Sequence, residues 1–100
     1  MRHYETMYLL VPELDDEQVD AHIERFSKVV ADNGGEVTSA VRWEQGRRKM
    51  AYEIKDKREA MYVLMQFVSE SQAPDELDRL FKISDDVLRH IIVRQDEKEE

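Results

Sequence analysis

Apolar and polar positions along the chain fall into blocks of two different periods. From Tyr4 to Val11 every residue except Glu5 is aromatic, β-branched or long and apolar, and Pro12 then removes a backbone donor, so this block reads as a first strand. Asp15 with Gln18 three residues on has the form of a helix capping box, and Asp16 and Glu17 lie favourably against the positive end of a helix dipole. Val19, Ile23, Phe26 and Val30 then recur at intervals of four, three and four, which aligns them on one side of a helix. Asn33-Gly34-Gly35 ends it, through left-handed conformations that glycine tolerates.

Val37 to Glu44 mixes β-branched and polar residues, Gly46 marks a bulge or bend, and the pattern resumes through Met50, Ala51, Tyr52 and Ile54, which predicts one long kinked strand. Lys55 to Arg58 is polar turn material. In Ala60 to Val68, Met61, Leu64, Met65 and Val68 also satisfy a helical spacing. The preceding turn, the neighbouring Tyr62, Val63 and Phe67 and the missing helix cap favour a third strand, buried on both faces. Pro74 at a helix start, Asp75 and Glu76 in its first turn and Leu77, Leu80 and Phe81 on one side predict a short second helix, and Val87 to Val93 a last strand. The order β-α-β-β-α-β with right-handed crossovers predicts an α+β, ferredoxin-like domain over residues 1–94, with a four-stranded antiparallel sheet, strands one and three central, and both helices on one face. If Thr6, Tyr8 and Leu10 face the helices, His3, Glu5, Met7 and Leu9 face away. With Met65 and Phe67 inward, Tyr62, Leu64 and Gln66 face outward. An open face of such mixed character suits a protein or RNA contact.

Composition narrows the possibilities. A chain of 100 residues, 41% hydrophobic, holds one core and needs neither metal nor disulfide to fold. It has no cysteine, which removes disulfides, thiolate metal sites and cysteine nucleophiles and points to a reducing cytosol. The amino-terminal apolar stretch, broken by Glu5, is too short for a signal peptide or a membrane span. The net charge of −8 argues against unaided binding of nucleic acid, because affinity for phosphate comes mainly from lysine and arginine. Charge is nevertheless uneven: residues 13–32 hold seven acids and two bases, while residues 36–58 hold seven bases, Arg42, Arg47, Arg48, Lys49, Lys55, Lys57 and Arg58, against four acids. Residues 95–100 hold four acids, one base and nothing apolar, which predicts a solvated, disordered tail.

Three segments together resemble one family: Tyr4-Glu5-Thr6-Met7-Tyr8; Trp43 with Gly46-Arg47-Arg48-Lys49-Met50-Ala51-Tyr52 and Ile54-Lys55; and Asp86-Val87-Leu88-Arg89-His90 with Val93-Arg94. They are similar to the bacterial small-subunit ribosomal protein S-six family, from which the chain departs by Lys49 where arginine is common, Met50 where leucine is usual and Glu53 where proline is frequent. The resemblance implies a noncatalytic, ribosome-associated cytoplasmic protein that pairs with ribosomal protein S-eighteen and binds the central domain of the small-subunit ribosomal RNA. Electrostatics agrees, since an acidic chain with one basic strip needs a basic companion to hold RNA.

Arg47, Arg48 and Lys49 suit phosphate contacts, but charges on an exposed edge strand equally discourage edge-to-edge aggregation; the resemblance favours RNA. Arg2 and His3, with Arg89, His90 and Arg94 on an adjoining strand, extend that surface, although each alone also reads as an ordinary solvated side chain. Trp43, Tyr52 and Tyr62 can anchor the partner protein or stack on bases, and individually also suit core packing. Arg58 to Met65 lacks the glycine and most of the aromatic positions of an RNA-recognition motif, which disfavours base stacking on the sheet. His3, His22 and His90 are too widely spaced for a metal, and Asp15-Asp16-Glu17 and Asp85-Asp86 are explained by capping and turns. No cofactor, small-molecule substrate or catalytic residue is expected. A second reading from a different class remains: a ferredoxin-like regulatory module that self-associates through its open face and binds a small metabolite.

Overall fold

The computed structural model describes residues 1–55 and 57–95, with residues 43–53 described by strand and register alone. Its elements follow the expected order: β1 Arg2–Leu10, α1 Asp16–Asp32, β2 Glu36–Ile54, β3 Lys57–Ser69, α2 Gln72–Ile83 and β4 Val87–Arg94. The strands form one sheet in the order β2-β3-β1-β4, with every neighbouring pair antiparallel. β1 and β3 therefore hold the central places.

The start of α1 is built by the capping box legible in the sequence. The Gln18 N–H donates to Asp15 Oδ1 and the Asp15 N–H to Gln18 Oε1, both at 2.9 Å, satisfying two donors that the first helical turn leaves unpaired. Val19, Phe26 and Val30 are fully buried, with Ile23 packed against the same core. The chain leaves α1 through Gly34 at φ +84°, and Gly35 passes so close to the sheet that a Cβ there would stand 2.8 Å from both Ser69 Cβ and Val30 Cγ1. α2 begins two residues before Pro74, which sits within the first turn, where its missing N–H costs no helical hydrogen bond. Ala73, Leu77 and Phe81 face the core.

Three of the core rings interlock. Tyr8 of β1 meets Phe26 of α1 edge-on at 5.1 Å and Phe81 of α2 at 4.9 Å, and those two phenylalanines meet each other at 4.7 Å. Thr6, Tyr8 and Leu10 thus face the helices as alternation predicts. β3 corrects one expectation: Met61, Val63, Met65 and Phe67 are buried, but Tyr62 and Leu64 are half-buried and Gln66 exposed, so only one face is sealed. Its apolar content runs unbroken from Ala60 to Met65 because the outward Tyr62 and Leu64 are apolar too. Of the expected acidic tail, residues 96–100 lie outside the described residues. Gln95 donates its N–H to the His3 carbonyl at 2.7 Å and its side-chain amide to Glu5 Oε1 at 2.9 Å.

Two buried hydroxyls differ in a way that stability measurements can read. Thr6 donates to the Ile91 carbonyl at 2.6 Å, whereas the Tyr8 hydroxyl, its ionisation pushed far up by burial, has no partner among the described residues. An unpaired buried polar group costs stability that an apolar replacement recovers. Tyr8→Phe is expected to be neutral or to gain up to about 1 kcal/mol in urea unfolding, and Thr6→Val to lose about 1 kcal/mol. In the same assay Gly35→Ala is expected to lose about 1–3 kcal/mol, the usual cost of forcing extra volume into a packed position.

Candidate functional site

Antiparallel partners point to the same side of a sheet, so register lays out the face opposite the helices in rows. Val41, Leu64, Met7 and Ile91 form one row across all four strands. Its two ends are open, Val41 being 53% and Ile91 52% exposed. The adjacent row runs Ser39, Gln66, Glu5 and Val93, the last 47% exposed. On the other side, Tyr62, Leu9 and Arg89 stand in register, and Tyr62 packs against a small cluster of buried Leu9, Ala60 and Leu88. Sequence reasoning singled out Met7, Leu9 and Leu64 on this face but missed Val41, Ile91 and Val93. The apolar residues Ile91 and Val93, two apart on the strand beside Arg89, are the signal that was available.

The expected RNA-binding residues do not gather in one place. Arg89 lies opposite Leu9, on the open face, whereas Arg94 lies opposite Tyr4, which faces the helices. Arg2, at the start of β1, pairs with Ser69 at Arg94's end of the sheet. Because β1 and β4 are antiparallel, Arg2 and Arg94 share one end and Arg89 occupies the other. Arg47, Arg48 and Lys49 register with Met61, Ala60 and Glu59, at Arg89's end. Their side chains, and those of Trp43 and Tyr52, lie outside the described residues. Of the expected partner-binding aromatics, Tyr62 is the one described, half-buried on the open face. His90 departs from its expected place beside the arginines: it lies opposite Tyr8 on the helix side, with its ring 5.0 Å from Phe81.

Two cations of the basic middle segment are occupied internally. Arg42 of β2 donates to Asp16 Oδ1 at 2.9 Å, the Asp16 carbonyl at 3.2 Å and Asp20 Oδ1 at 2.7 Å, which pushes the guanidinium's ionisation further up, through Asp20 first. Lys57, at the start of β3, is paired with Glu13 in the loop before α1. All three acids come from the acidic stretch that the sequence places in residues 13–32. Exposed pairs of this kind each contribute at most about 1 kcal/mol.

Two histidines are likewise paired within the fold. His22 Nε2 lies 2.9 Å from Asp86 Oδ2, and His90 Nε2 lies 2.7 Å from Asp78 Oδ1. The first of these contacts gives Asp86 a partner where sequence reasoning saw capping and turns alone. Among the described residues no group of three or more histidine or acidic side chains is placed to hold a metal. Among them, too, no helix is long and apolar enough to cross a membrane.

A one-sided α+β sandwich whose open face carries an apolar row across all four strands, with Arg89 beside it, defines the class of small ferredoxin-like domains. Comparison with known proteins makes the assignment specific. Residues 3–94 match the family model described as Ribosomal protein S6. The chain is 52% identical over 96 residues to the small ribosomal subunit protein bS6 of Desulforudis audaxviator, covering 96% of this chain and all of that one. It is 50% identical over 98 residues to the bS6 of Exiguobacterium sibiricum, covering 98% of this chain and all of that protein. The crystal structure of 30S ribosomal protein S6 from Thermotoga maritima superposes with a TM-score of 0.85 at 28% identity, over 94% of this chain and 87% of that one. The chain belongs to the ribosomal protein S6 family, the S-six family of the sequence resemblance. It is a structural protein of the small ribosomal subunit rather than an enzyme, ribosome-associated in the cytoplasm.

The Asp78 contacts predict a pH dependence. His90, followed by Lys82 at 3.0 Å, holds the Asp78 carboxyl below the usual aspartate range. A carboxylate depressed in the folded state contributes stability that is present above its ordinary range and lost as pH falls through its folded value. The difference in Tm between the wild type and Asp78→Asn is therefore expected to be largest at neutral pH and to close as the pH drops below the ordinary aspartate range. A difference that widens on acidification contradicts this assignment.

Proposed function

We propose that this chain binds the central domain of the small-subunit ribosomal RNA jointly with ribosomal protein S-eighteen, the partner docking on the open sheet face and the cationic positions at its borders meeting phosphates. The observation that carries this reading is the row Val41, Leu64, Met7 and Ile91, which crosses the whole uncovered face and ends in two side chains more than half exposed. Exposed apolar residues aligned across a sheet are a liability on a free monomer and an asset once a second surface covers them. Half-buried Tyr62 adds an aromatic anchor beside that row, as Trp43 and Tyr52 do in this reading.

Charge supplies the second half. At −8 the chain repels a polyanion overall, and phosphate affinity depends on how many counterions its lysines and arginines displace. Arg47, Arg48, Lys49 and Arg89 border one end of the sheet and Arg2 and Arg94 the other. A basic companion seated between the two ends joins them into one continuous cationic surface. Backbone and shape recognition dominate, because phosphate contacts fix register without reading bases.

Gel-shift titration of a central-domain RNA fragment with this chain, with S-eighteen and with both is expected to give tight binding only for the pair. Arg47→Ala with Arg48→Ala is expected to weaken the ternary complex and to flatten its log–log salt dependence by roughly 0.9 for each duplex phosphate that is no longer neutralised. Ile91→Asp is expected to weaken the protein pair about tenfold or more in calorimetry while Tm changes little. Nanomolar RNA binding by this chain alone in physiological salt, or an unaltered pair with Ile91→Asp, overturns the reading.

A further inference from the structure

β1 ends at Leu10, opposite Met61, so residues of β3 before Met61 and of β2 after Arg47 continue as a two-stranded arm beyond the four-stranded sheet. The arm carries Arg47, Arg48 and Lys49 on its β2 strand. Its root is irregular: β2 runs from Arg42 to Arg47 while β3 runs only from Val63 to Met61, and a second shift follows between Lys49 and Ile54. Extra residues on one strand of a pair bend it and increase its twist. The direction in which the arm leaves the body is therefore set at this irregularity and by what the arm touches, which includes the packing of Ala60 and Ile54 against Leu9 and Leu88; the ladder between β2 and β3 does not by itself determine it.

The two ion contacts described above hold the arm at its root and at its tip. Arg42 is the last β2 residue in register before the shift, and its guanidinium holds the Asp16 and Asp20 carboxylates of the first α1 turns as well as the Asp16 carbonyl. Lys57 opens β3 at the arm's far end, opposite Ile54, and is tied to Glu13 just before the same helix. Both strands of the arm are thus fastened to the acidic start of α1, on one side of the molecule. A guanidinium spanning two carboxylates and a carbonyl is geometrically more restrictive than a single point-charge contact.

We infer that Arg42, with Asp16 and Asp20, is a positioning clasp that sets the angle of the β2–β3 arm and so presents its cations to RNA, without touching the RNA itself. This deepens the joint-binding reading and rests on it for its consequence, though the clasp can be measured in the protein alone. It also separates two roles within the basic segment: Arg42 and Lys57 aim the arm, and the cations beyond the irregularity are the ones aimed.

Variants of opposite charge sign separate the clasp from plain electrostatics. Arg42→Ala makes the protein more negative, whereas Asp16→Asn with Asp20→Asn makes it less negative. Simple electrostatics predicts weaker RNA binding for the first and tighter binding for the second. A clasp predicts that both weaken the ternary complex, by about three- to tenfold, with unchanged salt slopes because every phosphate keeps its cation. Arg42→Lys, which keeps the charge but not the planar fork, is expected to recover part of the affinity. The chain lacks cysteine, so nitroxides placed by Glu59→Cys on the arm and Ala31→Cys on α1 report the angle in the free protein. Both clasp variants are expected to shift or broaden the distance distribution relative to the labelled wild type, at a Tm that still indicates a folded domain. Unaltered distances in both variants, tighter RNA binding by the double asparagine variant, or a flattened salt slope for Arg42→Ala each overturn the clasp. If the unmodified pair fails to bind RNA, the joint-binding reading falls while the distance measurement still decides the clasp.

Discussion

The contact on which the rest of the molecule depends is the interlock of Tyr8, Phe26 and Phe81. It brings the central strand and both helices to one point, and all three rings are essentially inaccessible to solvent. Aromatic rings bury more area than any other side chains, so a hundred-residue domain that concentrates three of them on one side of its sheet commits its helices to that side. The other face is then left without a layer. Its apolar rows are the complement of an efficient one-sided core, and among the described residues there is no third element to cover them.

Much of this was legible along the chain because the two periodicities are clean. The capping box at Asp15 and Gln18 and the spacing of Val19, Phe26 and Val30 define α1 almost to the residue. Alternation around Tyr8 assigned the inner face of β1 correctly. β3 misled for a physical reason: alternation identifies a face only when the two faces differ in polarity, and Tyr62 and Leu64 are apolar although they point away from the helices. The family resemblance rested on short segments of specific residues and required no knowledge of packing. What stayed hidden were relations across long sequence separations. Arg42 finds Asp16 and Asp20 because the first crossover lays α1 beside β2. Arg89 and Arg94 part company for a simpler reason, which the sequence does carry: five residues apart on one strand, they fall at opposite ends and on opposite faces. Nothing in residue type or spacing encodes the Arg42 contacts.

Charge follows the same logic. A net of −8 describes the chain as a whole, but the acids and bases that neutralise one another are chosen by topology. The acidic segment around the start of α1 pairs with Arg42 at the root of a basic hairpin and with Lys57 at its tip, so part of each excess is consumed within the fold. His22 of α1 with Asp86 just before β4, and His90 of β4 with Asp78 of α2, likewise give acids partners within the fold where the helices meet that strand. A count of lysines and arginines in a segment is therefore an upper bound on the cations available to a ligand.

Exposed ion pairs are weak stabilisers, and that weakness does not make them idle. The ribbon beyond the edge of this sheet is held by little apolar packing, Ala60 and Ile54 against Leu9 and Leu88, and two-stranded ribbons twist more than the strands of larger sheets. Ordering a loose ribbon at the moment of binding subtracts from affinity for every side chain that must be immobilised, at about 0.5–1.5 kcal/mol each. Contacts that contribute less than about 1 kcal/mol apiece to folding can therefore matter more to binding if they remove that ordering step beforehand. Placing them at the root and the tip of the ribbon, against the capped start of α1 and the loop leading into it, is the arrangement in which a small interaction energy yields the largest restriction of angle.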